Sequence, residues 1–135
     1  MNTKNTLFLI SALVLILIAG FYFLTSESDN TEAVKKESTC PEVKDTKVVE
    51  MAADSFRPET LTIQKCTRVV FENKDTKAHW PASNIHPIHG IYPEFDPQRA
   101  IAAGESWSFT FDQIGNWRYH DHLTPSTSGE ITVTE

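Results

Sequence analysis

All five histidines of this 135-residue chain lie between positions 79 and 122. They fall in three short runs: His79-Trp80-Pro81, His86-Pro87-Ile88-His89 and Tyr119-His120-Asp121-His122. Imidazole nitrogen is a good ligand for copper, zinc, nickel and iron. A histidine taken singly is usually solvated or hydrogen-bonded in a packed site. Gathered in one stretch, the histidines point to a metal centre that uses at least three of them. The affinity order for nitrogen ligands favours Cu(II), with zinc or iron as alternatives. On a strand, residues two apart share a face, so His120 and His122 can grip one metal while Asp121 points the other way. Asp121 then orients an imidazole or is itself a ligand. His86 and His89 are three apart, but Pro81 and Pro87 make a loop their expected carrier.

Strands must position these groups. Alternation predicts strands over residues 47–53, 60–64, 68–72, 106–111, 116–122 and 129–134, with a loop over 123–128. Turn residues and a proline mark 54–58. Residues 78–103 hold Pro81, Pro87, Pro93 and Pro97 and show no clean periodicity. A connection that long inside a compact domain is usually functional. Its aromatics Trp80, Tyr92 and Phe95 predict that it packs down. Trp80, Trp107 and Trp117 read as core residues. Six or seven short strands without an amphipathic helix predict an all-β, Greek-key β-sandwich over residues 47–135. Trp117, Tyr119 and Asp121 alternate onto the core face, which turns His120 and His122 outward, toward the loop of His86 and His89. A bulge would instead swing the pair inward beside His79.

Upstream, residues 7–24 carry no charge and no proline. A helix of that length spans roughly 27 Å, about the hydrocarbon thickness of a bilayer. Lys4 precedes it and Glu27, Asp29 and Glu32 follow, which favours an N-terminus inside, residues 1–6, and the remainder outside. The apolar run continues through Phe21-Tyr22-Phe23-Leu24 with no Ala-x-Ala site after it, so a retained transmembrane anchor is expected, a cleaved signal peptide being the alternative. Residues 25–46 read as a flexible tether, most of it too polar to bury a core. A formal net charge of −6 with no basic patch argues against nucleic acid as a partner. Export also makes a Cys40–Cys66 disulfide the default, against two separate thiols.

The order of several loose motifs resembles the cupredoxins. They are Phe56-x-Pro58, Leu61-Thr62-Ile63, Phe71-x-Asn73-x-Asp75, His79, Ala103-Gly104-Glu105-Ser106, Phe109-x-Phe111, Gly115-x-Trp117-x-Tyr119 and Gly129-x-Ile131-x-Val133. The resemblance implies an exported β-sandwich, of a kind that often binds copper at one end for electron transfer. Blue-copper members use a histidine after the Asn-x-Asp strand, then a cysteine, a second histidine and usually a methionine. His79 matches the first. Asp121 stands where the cysteine would be, Thr124 at the second histidine, and the only methionines are Met1 and Met51. A blue site depends on a copper–thiolate bond, so that function is not implied. A Tyr-His-x-His run similar to residues 119–122 occurs in multicopper oxidases, which supports His120 and His122 as ligands.

Three functions follow. The first is a membrane-anchored metal-binding domain on the extracytoplasmic side, with copper held by His79, His86, His89, His120 and His122. Its role would be metal binding or handover to a protein partner, or non-blue electron transfer. The second is a small metalloenzyme with an open coordination position, Asp121 or Glu94 serving as base. The third is a metal-free interaction domain whose histidines respond to pH.

Overall fold

A computed structural model describes residues 40–135. The apolar span at 7–24 and the tether up to residue 39 lie outside the described residues. Those described contain eight strands and no helix. The strands are β1 (Asp45–Ala52), β2 (Ser55–Arg57), β3 (Thr60–Gln64), β4 (Thr67–Asn73), β5 (Pro81–Ser83), β6 (Ser106–Phe111), β7 (Gly115–Asp121) and β8 (Thr124–Thr134). They form two four-stranded sheets, ordered β2-β1-β4-β6 and β3-β8-β7-β5. β1 pairs parallel with β4 and β3 parallel with β8; the other neighbours are antiparallel.

The two-residue period drives this packing. In β4, Val69 and Phe71 point inward; in β8, Ile131 and Val133 do. With Val49, Met51, Phe56, Phe95, Phe111 and Tyr119 they make one buried cluster. Trp107, Phe109 and Trp117 pack against it partly buried. Cys40 and Cys66 form a disulfide with Cα atoms 5.4 Å apart. In the chain-entropy model a closed loop of this size stabilises the fold by about 3 kcal/mol.

Three features differ from the pattern read in the sequence. The 54–58 turn contains β2, a short edge strand against β1. The long 78–103 segment contains β5, which pairs with the second half of β7: Pro81 opposite Asp121, Ala82 opposite His120, Ser83 opposite Tyr119. The expected loop at 123–128 is instead the start of β8, in a tight hairpin where Asp121 faces Thr124. Pro125, Ser126 and Ser128 give this stretch the composition of a loop, but the pairing jumps from His120–Ser128 to Asp121–Thr124. That irregularity absorbs the surplus residues.

The 78–103 segment packs down, as its aromatics predict. Tyr92 and Phe95 are buried in the core. The Tyr92 hydroxyl donates to Asp112, and burial above all holds that phenol above its usual range. Ser83 Oγ lies 2.9 Å from both the His89 and Tyr92 carbonyl oxygens, and Ser83 N–H donates to Phe95 O at 2.9 Å. One buried serine thus folds the loop back over the outer face of β7.

Candidate metal centre

Position on β7 decides the fate of its polar residues. Tyr119 and Asp121 face inward and are fully buried. His120 and His122 face outward, and the loop after β5 covers them. The pairing irregularity at His120/Asp121 does not turn the pair inward. Of the two arrangements open to the sequence, the outward one with a loop cover is realised.

His86, His89, His120 and His122 converge. Each offers one ring nitrogen, and the four atoms lie within 4.8 Å of one another. His86 Nδ1 is 3.1 Å from His120 Nε2, and His89 Nε2 is 3.0 Å from His122 Nδ1. Nitrogens bound at about 2.0 Å to one ion sit about 3.3 Å apart in a tetrahedron, or about 2.8 and 4 Å apart in a square. The observed spacings straddle these values. His89 and His120 are buried, His122 is half-buried and His86 is exposed.

The other ring nitrogens set the tautomers. His89 Nδ1 is 2.7 Å from Asp96 Oδ2, and His120 Nδ1 is 2.9 Å from Asn84 Oδ1. Both partners are oxygen acceptors, so each Nδ1 is the N–H donor. In the neutral rings that leaves the Nε2 lone pairs of His89 and His120 aimed into the cluster. Asp96 is itself fixed: its Oδ1 accepts from the Trp80 indole at 2.7 Å and from Gln98 N–H at 2.7 Å. Burial tends to raise the Asp96 carboxyl. The bonds from His89, Gln98 and Trp80 outweigh it and hold the group below its usual value.

Electrostatics also favour neutral imidazoles. Burial lowers His120 from 6.5 to about 4, helped by repulsion from His89, His86 and His122. His122 is lowered by the same causes, burial first and then His89 and His86. At neutral pH both rings are uncharged. His86 Nδ1 and His122 Nδ1 meet the His120 and His89 lone pairs at 3.1 and 3.0 Å as hydrogen bonds, which a bound cation would replace with four nitrogen–metal bonds.

His79 and Asp121 are not part of this cluster. His79 Nδ1 is 2.7 Å from Asp121 Oδ2 and its Nε2 is 3.2 Å from Asp75 Oδ2. Both ring nitrogens therefore face carboxylates. Asp121 Oδ1 accepts from Trp80 N–H at 2.8 Å and Leu123 N–H at 3.0 Å. The carboxylate ties the β7–β8 turn to the start of β5 on the core side. It neither orients a cluster imidazole nor reaches solvent as a base. The positions that the resemblance would give to a histidine and a cysteine ligand are thus joined to each other by a hydrogen bond. Trp80, read as core, is half-buried with its ring 4.6 Å from that of His122.

Two site residues were not singled out from the sequence: Asn84 and Asp96. Each is a short polar residue beside the histidine-bearing loop. Only the fold shows that they face His120 and His89.

No family model matches the chain, and no curated protein matches it. Solved structures do. A reduced Cu(I) form of an amicyanin mutant aligns with a TM-score of 0.57 and 21% identity, over 66% of this chain and 82% of that one. A second reduced amicyanin mutant gives 0.58 and 20%, with the same coverage. A Cu-containing nitrite reductase (NirK) from Thermus scotoductus SA-01 gives 0.55 and 26%, over 65% of this chain and 22% of that chain. Together with the two-sheet topology, these likenesses establish that the described domain is a cupredoxin-like β-sandwich, one in which an all-histidine cluster stands beside a position that holds aspartate instead of cysteine.

Proposed function

We propose that this chain is a membrane-anchored copper-binding protein whose domain lies outside the membrane and holds one Cu(II) through His86, His89, His120 and His122. The observation that carries the reading is the convergence of four imidazole nitrogens within 4.8 Å, two of them aimed by Asn84 and Asp96. The donor set suits copper: all four donors are imidazole nitrogens, offered by β7, the turn after it and the loop that covers them. The amicyanin and nitrite reductase likenesses support the choice of metal. When bound, copper would supply a Lewis-acidic, redox-capable centre. The chain's own contribution is to orient the rings and shield His89 and His120 from water.

The role we assign is metal binding with handover to a protein partner. His86 is exposed while His89 and His120 are buried. One ligand reachable from solvent gives an incoming chelator a first point of exchange. Anchoring through residues 7–24 would place the centre at the cell surface, and the disulfide fits an oxidising compartment.

The full chain is expected to take up one Cu(II) per molecule, measured by metal analysis after desalting. It should show no intense blue thiolate band, since both cysteines are in the disulfide. Changing His120 and His122 together to alanine should abolish uptake with the circular dichroism of the sheets retained. A wild-type chain that takes up no copper at micromolar concentration would refute the proposal.

A further inference from the structure

A cavity of about 410 Å³ opens on the edge of the cluster formed by His86 and His120. Its lining combines apolar residues, Ile85, Ile91 and Pro125, with polar ones, Asn84, Arg118 and Ser128. Its size is that of a small-molecule site, with an apolar body and a few convergent polar groups. Ile85 and Ile91 are 61% and 45% exposed, so the apolar part of the lining lacks a cover.

The charges are laid out unevenly. Arg118 Nε is 3.4 Å from Glu130 Oε2, and the Arg118 side chain is 75% exposed. An ion pair so exposed holds its partners weakly, which leaves the guanidinium free to turn onto another anion. Glu130 and Glu59 line a separate cavity of about 270 Å³ that shares Asn84, Arg118 and Ser128 with the first. No carboxylate lines the cavity beside the histidines. A dication held by four imidazoles would add positive charge to the cavity that Arg118 also lines.

We infer that this cavity binds a small organic carboxylate, with its anionic end between the histidine-held copper and Arg118 and its short apolar tail against Ile85, Ile91 and Pro125. The inference rests on the copper reading above and deepens it: the centre is open to an outside ligand on its His86–His120 edge. Ser128 supplies a further hydroxyl donor. A guanidinium matches a carboxylate in two-point geometry, which favours this class over a neutral ligand.

The test uses the full chain loaded with Cu(II), azide as reporter, and acetate and butyrate as competitors. Azide is expected to produce a saturable charge-transfer band and to alter the copper electron paramagnetic resonance spectrum. Both carboxylates should displace it. Butyrate should do so better than acetate, by roughly two- to fourfold per added methylene. Arg118→Gln should bind copper as the wild type does and weaken both carboxylates about tenfold. Ile91→Trp, which fills the cavity, should retain copper and remove the advantage of butyrate. A loaded wild type whose spectra ignore azide and carboxylates overturns the inference while the copper reading stands. So does an Arg118→Gln variant with unchanged carboxylate affinity. A chain that binds no copper refutes both readings together.

Discussion

Hydrogen bonds at single histidines separate two roles that look alike in the sequence. His89 is held by Asp96, and His120 by Asn84, through the nitrogen that faces away from the cluster. Such outer partners typically govern metal affinity by 10- to 100-fold. Asp96→Asn keeps an oxygen near His89 but removes the charge. Copper affinity measured by competition with a chelator should therefore fall by about tenfold, the lower end of that range. His79 is the contrasting case. With both nitrogens facing carboxylates, it has a structural part to play. His79→Gln should leave copper stoichiometry at one and destabilise the domain by about 1–3 kcal/mol, the cost of leaving buried Asp121 under-partnered. Denaturant titration gives the second quantity. Copper lost with the fold intact would instead make His79 a ligand. The sequence displayed every histidine but not this division, because partners such as Asp121 and Asp75 are chosen by strand facing and loop path.

The β7–β8 hairpin is the element on which the site depends. Its inward residues reach the core and its outward ones reach the histidine cluster, so a slip of one residue would exchange Asp121 for the histidines. Gly129 helps to hold that register. A Cβ there would lie 2.5 Å from both Cζ and the hydroxyl of Tyr119, a fully buried ring. Tyr119 packs on Phe56, Phe71 and Phe95 and has no room to retreat. Gly129→Ala should therefore cost about 1–3 kcal/mol by overpacking, seen as a lower urea midpoint, and should weaken copper binding only through the displaced hairpin. Strands β6 and β7, one in each sheet, were legible from alternation at Trp107-x-Phe109-x-Phe111 and Trp117-x-Tyr119-x-Asp121. The start of β8 was not. Pro125 with Ser126 and Ser128 has the composition of a loop, and it is the pairing with β7 that makes it strand.

For the whole domain, the depressed histidines predict how stability varies with pH. His120 titrates near 4 in the folded chain, against 6.5 ordinarily. His122 is shifted in the same direction. Between those values the unfolded chain binds more protons than the folded one, so stability rises with pH across that window. Stated in the other direction, the metal-free domain should lose stability as pH falls from about 6.5 toward 4. Thermal melts at a series of pH values check this. Replacing His120 by glutamine should flatten the dependence. Copper bound as proposed would compete with protons for the same nitrogens, so it should protect the fold at neutral pH. A 100-fold excess over Kd is worth about 2.7 kcal/mol, and that protection should fade over the same acid range.

By itself, the sequence determined an all-β sandwich with a cupredoxin-like order of motifs, the absence of a thiolate ligand, and a concentration of imidazoles in one loop and one strand. Each of these is local: a period of two, a spacing or a missing residue type. The Cys40–Cys66 pairing was also within its reach, as the expectation that follows from reading residues 7–24 as an export signal or anchor. Tertiary structure decided which histidines meet. β5 pairs with β7 and Ser83 pins the loop, so His86 and His89 lie over His120 and His122. Tertiary structure also joined His79 to Asp121 on the inner side, although the family position had made His79 the first candidate ligand. The reason is geometric. Which face a residue presents follows from alternation, but what waits on that face is set by a chain segment some 30 residues away. No local pattern in residues 78–103 specifies how that segment folds back.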